Sequence, residues 1–454
     1  MNMADPNQKY DAMPGVFLRP AAQSAFVIFW LYRLLFAPAL LVIAPWYLLR
    51  MCRRGGYRAD FGHRFGGHPR LPQQTPARRR VWLQAVSVGE MLAIGPILEA
   101  LQRDGAEVYL TTTTSTGQRL AHERYAGLTT GIGYFPIDWW LFSMRAWRRI
   151  NPDLVILTEG ERWPEHLRQA ASRHVPVLCI NARMSDRSFA RLRRFRPLAR
   201  LLLAGVTRFL PASRQDEARL LELGVPHERI LTTGNIKLDV RIPALSTGEL
   251  TQLRQELGLP DGLIVVGSST WPGEEAALLA ACQRARQRGL PCSLLLVPRH
   301  AERRAEIERL LTAAGVPFHF RSRGAARGEV EVAVADTTGE LRRLTQLADL
   351  VFVGKSLAPH TEGQTPVEAA ALGRSILLGL GMSNFRAIAD DLVARGAAQL
   401  VTDPAGLADA IEDLLRNPDR RESMARAAAT WHRDNTGAIE RTVAVIREEI
   451  ARLG

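Results

Sequence analysis

Ser87-Val88-Gly89-Glu90 sets a carboxylate just past a small-residue turn, after an apolar strand-like run at 81–86 and ahead of a helix-like one at 91–101. At the C-terminal edge of a parallel strand such a group stands where open α/β sheets place their chemistry. There Glu90 can act as a general base toward a bound hydroxyl. An acid in a first helical turn also suits the helix dipole, so the tetrapeptide alone leaves both roles open. Thr111 to Thr114 with Ser115-Thr116-Gly117 gives a run of hydroxyls and a helix start, fit for a sugar, an anion or a plain N-cap. Glu159-Gly160-Glu161 ends the strand-like run 153–158 and is too polar for core, so one carboxylate there could orient a substrate hydroxyl. Lys237, in Gly234-Asn235-Ile236-Lys237-Leu238-Asp239, is either a point charge at a cleft hinge or a solvated lysine.

The second half repeats the habit of unusual residues at strand ends. Val297-Pro298-Arg299-His300 offers a guanidinium that meets a phosphate bidentately. Asp336-Thr337-Thr338-Gly339-Glu340 gives a turn and a helix start, a second anion or ribose site. Gly354-Lys355-Ser356 precedes Glu362-Gly363-Gln364-Thr365-Pro366-Val367-Glu368, which opens a helix at 366–372. Glu368 can take both hydroxyls of a ribose, and it also fits a capping box with Thr365.

These residues need two sets of parallel strands behind them. Apolar runs at 81–86, 107–112, 133–135, 153–158, 175–181, 208–211 and 230–233 alternate with amphipathic stretches and lack polar alternation, as strands buried on both faces do. Residues 239–259 lose that character and form a linker with a first helix. A second βα series runs through 262–267, 293–297, 316–320, 332–335, 349–353 and 375–379, and residues 405–453 read as helices only. The expected fold class is α/β, with two doubly wound domains facing each other across a cleft. The predicted divisions are a tail at 1–24, an anchor helix at 25–50, a first domain at 51–238 and a second at 239–454.

Over 454 residues the formal charge is +13, mostly from arginine, which calls for an anionic partner. With no zinc-ligand spacing, RNA-binding signature or basic tail, nucleic acid is excluded. Cys52, Cys179, Cys282 and Cys292 are scattered, which suggests neither a disulfide framework nor a metal site. Residues 25–49 carry one charge, Arg33, and two prolines, Pro38 and Pro45; they predict an uncleaved membrane anchor that spans or lies along the bilayer. A helix hairpin buried in the protein is the competing reading. The arginine-rich stretch 50–80, with Asp60 as its sole acid, places both downstream domains on the cytoplasmic side. Arg187, Arg191, Arg193 and Arg194 crowd another predicted helix, facing acceptor phosphates, anionic headgroups or solvent.

Taken in order, Ser87-Val88-Gly89-Glu90, the threonine run from Thr111 to Gly117, Glu159-Gly160-Glu161-Arg162-Trp163-Pro164, Asn181-Ala182-Arg183-Met184-Ser185, Thr233-Gly234-Asn235-Ile236-Lys237-Leu238-Asp239, Val297-Pro298-Arg299-His300 and Asn384-Phe385 form a pattern. It resembles the Kdo transferases of lipopolysaccharide assembly, which move 3-deoxy-D-manno-octulosonic acid (Kdo) from CMP-Kdo to a lipid A precursor. The resemblance runs from the N-terminal segment to about Val401. It implies a GT-B glycosyltransferase of two Rossmann-like domains, inverting and metal-independent, at the cell inner membrane. CMP-Kdo would be donor substrate with no cofactor, and a lipid A precursor glycolipid the acceptor. Glu90 matches the family's proton acceptor, and Glu159 and Lys237 match its transition-state stabilisers. Pro298-Arg299, Thr338-Gly339-Glu340 and Thr365-Pro366-Val367-Glu368 match its CMP-binding segments. Two loops depart from the pattern: Gly-Gly-Ser-Leu is usual where this chain has Gly354-Lys355-Ser356-Leu357, and Gly-Gly-His-Asn-Pro-Leu-Glu where it has residues 362–368. A GT-B transferase of a different acidic or nucleotide-linked sugar, and an inactive lipid- or nucleotide-binding GT-B module, are the alternatives.

Overall fold

Strands β1 (Arg80–Gln84), β2 (Glu107–Thr112), β3 (Gly131–Tyr134), β4 (Leu154–Thr158), β5 (Val177–Ala182) and β6 (Arg208–Pro211) form one sheet in the order β3-β2-β1-β4-β5-β6. All its pairings are parallel. Successive side chains point to opposite faces, and both faces are covered, so nearly every strand position is buried and most are apolar. Val81, Leu83, Leu154 and Ile156 pack into one core with Ile97, Leu98 and Leu101. Trp82, Val155 and Leu157 enter the other with Tyr109, Trp147 and Phe209. This computed structural model describes residues 21–54, 59–72, 78–160 and 162–454. Residues 1–20 of the expected tail, and Glu161, lie outside the described residues.

The chain divides into two units, residues 1–237 with 437–454, and residues 238–436. The second holds a seven-stranded sheet of β7 (Leu263–Thr270), β8 (Cys292–Pro298), β9 (Phe318–Phe320), β10 (Val332–Val334), β11 (Leu350–Val353), β12 (Ser375–Gly379) and β13 (Ala398–Val401). Its order is β13-β12-β11-β7-β8-β10-β9, again all parallel. Val265, Leu294, Leu296 and Phe352 face one core; Ile264, Val266, Leu295 and Val351 face the other.

Three expectations need correction. Residues 230–233 make only a single bridge, Phe209 to Ile230, and add no strand to the sheet; strand β13, last among the described residues, was not expected. The second domain does not run unbroken to residue 454. The helix Ala438–Ala451 returns to the first unit, burying Ala438, Val443, Val445 and Ile446 in the core of Val81 and Ile97. Arg447 fixes it there, with both its Nε and Nη2 on Asp104 at 2.7 and 2.9 Å.

The third concerns residues 25–49. They lie in one helix, Ala21–Arg54, with Pro38 and Pro45 inside it. No single helix among the described residues is long and apolar enough to cross a membrane; Phe29–Phe36 and Pro38–Trp46 reach that length together, bent by 45°. Pro38 accounts for the bend, since it removes an N–H and crowds the preceding turn. Arg33 neither snorkels nor stands alone. Its Nε and Nη2 both meet the Glu165 carboxylate at 2.8 Å, and Glu165 is fully buried. Tyr32 donates to Asp138 Oδ2 at 2.6 Å, and Arg168 lies over the ring of buried Phe29. The helix is thus bolted to the first unit by its inner face, not appended to it. Its outer face leaves Trp30, Leu34, Leu41, Val42 and Trp46 exposed.

Stranding one member of a buried ion pair costs about 3–5 kcal/mol. Arg33→Ala is therefore expected to destabilise the first unit on that scale in chemical denaturation. Arg33→Leu combined with Glu165→Leu should recover most of the loss. Wild-type stability in the single variant would show that the helix is not held by this pair.

Candidate active site

In the first sheet the strand order reverses between β1 and β4, and the crevice outside their C-terminal ends is where an open sheet takes its ligand. Glu90 lies there, in the short helix Val88–Ala93 that follows β1. It is 7% exposed. Its Oε1 accepts the Ser87 hydroxyl at 2.8 Å, its Oε2 accepts Val86 N–H at 3.0 Å, and the Thr158 hydroxyl at the end of β4 donates to the same Oε2. Ser87 Oγ in return accepts Glu90 N–H at 3.2 Å. A carboxylate offers about four lone-pair sites. Among the described residues three are filled, and the one left is on Oε1. Helix capping and proton acceptance are thus compatible in Glu90.

Three hydroxyls of the threonine run are spent inside the protein, and the N-cap reading holds at Thr114. Thr112 and Thr114 both donate to Val86 O at 3.2 Å, and Thr111 donates to Gln84 Oε1 at 2.7 Å. These hydroxyls buttress the turn that carries Glu90. Thr114 also caps the helix Ser115–Tyr125 through Gly117 N–H.

Glu159 follows β4 directly, in the left-handed region at φ 54°. Its Oε1 takes the Lys237 ammonium at 2.5 Å and Asn181 Nδ2 at 3.3 Å. Asn181 also accepts Ile236 N–H at 3.1 Å, and Asn235 Oδ1 accepts Lys237 N–H at 3.0 Å. The turn before Lys237 needs glycine, for Gly234 has φ 93° and a Cβ there would stand 3.3 Å from Ala438 Cβ. The structure thus brings Glu90, Glu159 and Lys237 to adjacent strand ends, with Thr158 and Asn181 as their supports.

In the second sheet the order reverses between β7 and β11. Pro298 is buried at the end of β8, whereas Arg299 is exposed and makes no side-chain hydrogen bond or ion pair among the described residues. Its backbone N–H binds Thr270 O at the end of β7, at 3.1 Å. Glu368 does not form the capping box with Thr365: Pro366 precedes the helix Val367–Ala371 with no side-chain cap, and Glu368 Oε2 is buried without a partner. Its nearest cation is Arg342, at 3.6 Å from Oε1. Thr338 and Gly339 are exposed. Glu340 is not available to a ligand in the same way, because Arg321 grips its carboxylate at 2.8 and 2.9 Å and holds it well into the ionised form. The arginine-rich stretch is two helices, Asp186–Arg194 and Arg196–Leu203, broken at Phe195 before Pro197. Arg187, Arg191 and Arg194 are exposed, and Arg193 pairs with Glu222 at 3.5 Å.

Residues 59–240 match the family model of 3-deoxy-D-manno-octulosonic-acid transferases. The chain is 32% identical over 413 residues to the 3-deoxy-D-manno-octulosonic acid transferase of Bordetella pertussis, covering 89% of this chain and 95% of that one. It belongs to the Kdo transferase family. The Haemophilus influenzae member is 28% identical over 93% of this chain and the whole of that one. In fold, the chain is similar to the UDP-GlcNAc 2-epimerase of Neisseria meningitidis, with a TM-score of 0.53 and 14% identity over 82% of this chain and all of that one. The two parallel sheets are accordingly those of a GT-B-like glycosyltransferase.

Sequence reasoning on this transferase passed over Glu274, whose only signal is an acidic pair after the Pro272-Gly273 turn. It is 1% exposed and accepts four backbone N–H groups: Trp271 and Lys355 on Oε2 at 2.9 and 2.8 Å, Ser356 and Leu357 on Oε1 at 2.9 and 3.1 Å. Burial pushes its carboxyl up from the usual range, against the pull of those bonds. All its lone pairs are spent, so its work is to tie the end of β7 to the loop after β11. Glutamine cannot accept on both ends, and each stranded buried donor costs about 1–3 kcal/mol. Glu274→Gln should lower the stability of the second unit accordingly and weaken nucleotide binding. Calorimetry and denaturation with both values unchanged would refute this role.

Proposed function

We propose that this Kdo transferase moves Kdo from CMP-Kdo to a lipid A precursor, with inversion and without a metal, at the cytoplasmic face of the inner membrane. What carries the reading is the cluster of Glu90, Glu159 and Lys237 at the first sheet's reversal point, with one Glu90 lone pair unspent. In this reading the acceptor hydroxyl oxygen attacks the anomeric carbon of Kdo and its proton passes to Glu90 Oε1. The bond from that carbon to the phosphate oxygen breaks, and CMP leaves with the electron pair. Lys237, held by Glu159, supplies a fixed positive charge where negative charge develops, the preorganised arrangement that favours a transition state. Arg299 takes the phosphate of the leaving group and Glu368 its ribose hydroxyls.

The bent helix Ala21–Arg54 lies along the bilayer surface in this proposal. Its exposed Trp30, Leu34, Leu41, Val42 and Trp46 enter the apolar boundary. Arg187, Arg191 and Arg194 meet anionic headgroups or acceptor phosphates on the same unit.

Removing a positioned general base typically costs roughly 10²–10⁴ in rate. Glu90→Gln should lose turnover on that scale while keeping its affinity for CMP. Near-normal kcat in the variant would take Glu90 out of the mechanism. Arg299→Ala should weaken CMP binding by about 1.5–3 kcal/mol, the scale of a hydrogen bond to a charged group. An unchanged CMP isotherm would remove the phosphate assignment.

A further inference from the structure

Lys355 occupies a position where its backbone would suit glycine better. It has φ 57°, in the left-handed region that non-glycine residues seldom adopt, directly after Gly354 at the end of β11. The conformation is imposed from both sides, since Lys355 N–H binds Glu274 at 2.8 Å and its carbonyl accepts Gly363 N–H at 2.8 Å. The reversal point of the second sheet, between β7 and β11, is where this residue stands.

Its side chain crosses to the neighbouring strand end. The ammonium lies 4.2 Å from the centre of the Trp271 ring and 3.3 Å from Glu362 Oε1. Trp271 is edged by His300 and His360, at 5.0 and 5.8 Å between ring centres. The ammonium of Lys355 thus lies over the face of Trp271 at a strand end and is paired, among the described residues, only to a half-exposed glutamate. Such a pair holds weakly in water and exchanges its counterion at little cost.

We infer that Lys355 receives the carboxylate of the acidic sugar on the nucleotide donor, displacing Glu362, with the face of Trp271 beneath it. The inference rests on the transferase reading above and extends it. A nucleotide-linked acidic sugar carries two anionic groups. The planar fork of Arg299, just past β8, suits the phosphate; the compact ammonium of Lys355, on the flank towards β11, suits a single carboxylate. Lys355 thereby adds a charged contact for an acidic sugar.

The test compares wild type, Lys355→Gly and Lys355→Arg in the full-length protein. Glycine relieves the left-handed backbone, so that variant removes the ammonium without straining the loop. Its KM for CMP-Kdo should rise roughly ten- to a hundredfold, the scale of a lost charge-assisted contact. Affinity for CMP should not change, and Lys355→Arg should stay near wild type. Loss of CMP affinity in step with KM would place Lys355 on the phosphate and overturn the assignment. So would an unchanged KM in the glycine variant, or an arginine variant as impaired as the glycine one. Calorimetry without acceptor reads the contact apart from turnover: wild type should prefer CMP-Kdo to CMP, and Lys355→Gly should lose that preference. A wild type that binds CMP-Kdo with this preference yet transfers nothing would count against the transferase reading and leave the Lys355 contact standing.

Discussion

A buried carboxylate stands just past the first strand of each sheet, and the loops that make the site hang from it. Glu90 follows β1 and Glu274 follows β7, each in the opening turn of a helix. Both accept hydrogen bonds from a neighbouring strand's end as well as from their own turn. What separates them is the count of donors. Four N–H groups saturate Glu274, which can only hold backbone in place. Three donors leave Glu90 one lone pair, and of those three two are hydroxyls that can rotate. The same residue type at the same place in the fold is structural in one sheet and chemically competent in the other.

Where local pattern decided the outcome, the sequence was readable. Apolar runs without alternation located most strands, because a strand covered on both faces leaves that mark. Glu159 and Lys237 were legible as polar groups at element ends, but their contact was not. It depends on Asn181 and the Gly234 turn, which bring distant segments together at 2.5 Å. The threonine run stayed open for a related reason: hydroxyls after a strand look the same whether they face a ligand or, like those of Thr112 and Thr114, Val86 O.

Distance along the chain hid the rest. Arg33 reads as a burden inside an apolar segment until Glu165, far downstream, supplies its partner. The pair also keeps the helix oriented, inner face on the protein and outer face bare, where hydropathy alone predicts only a detachable anchor. The helix Ala438–Ala451 is amphipathic in a way that either sheet could accommodate. Asp104 and Thr233 settle the choice through Arg447, Arg441 and Thr442. That return has a consequence for the chemistry, since Ala438 backs the very turn that presents Lys237.

The arginine excess is the composition feature most altered by seeing the structure. A charge of +13 points to an anionic partner, but many of the arginines are already engaged. Arg33, Arg80, Arg303 and Arg321 each grip a carboxylate and serve the fold. Among the arginines that grip no carboxylate in the described residues are Arg187, Arg191 and Arg194 on one short helix, and Arg299 at a strand end. Lys355 stands between the two groups, paired to Glu362 but at a half-exposed contact that water and salt weaken. The partner signal therefore resides in which cations remain after the internal pairs are taken out. In the proposed reading, Arg187, Arg191 and Arg194 meet anionic groups on the first unit and Arg299 meets the donor phosphate on the second.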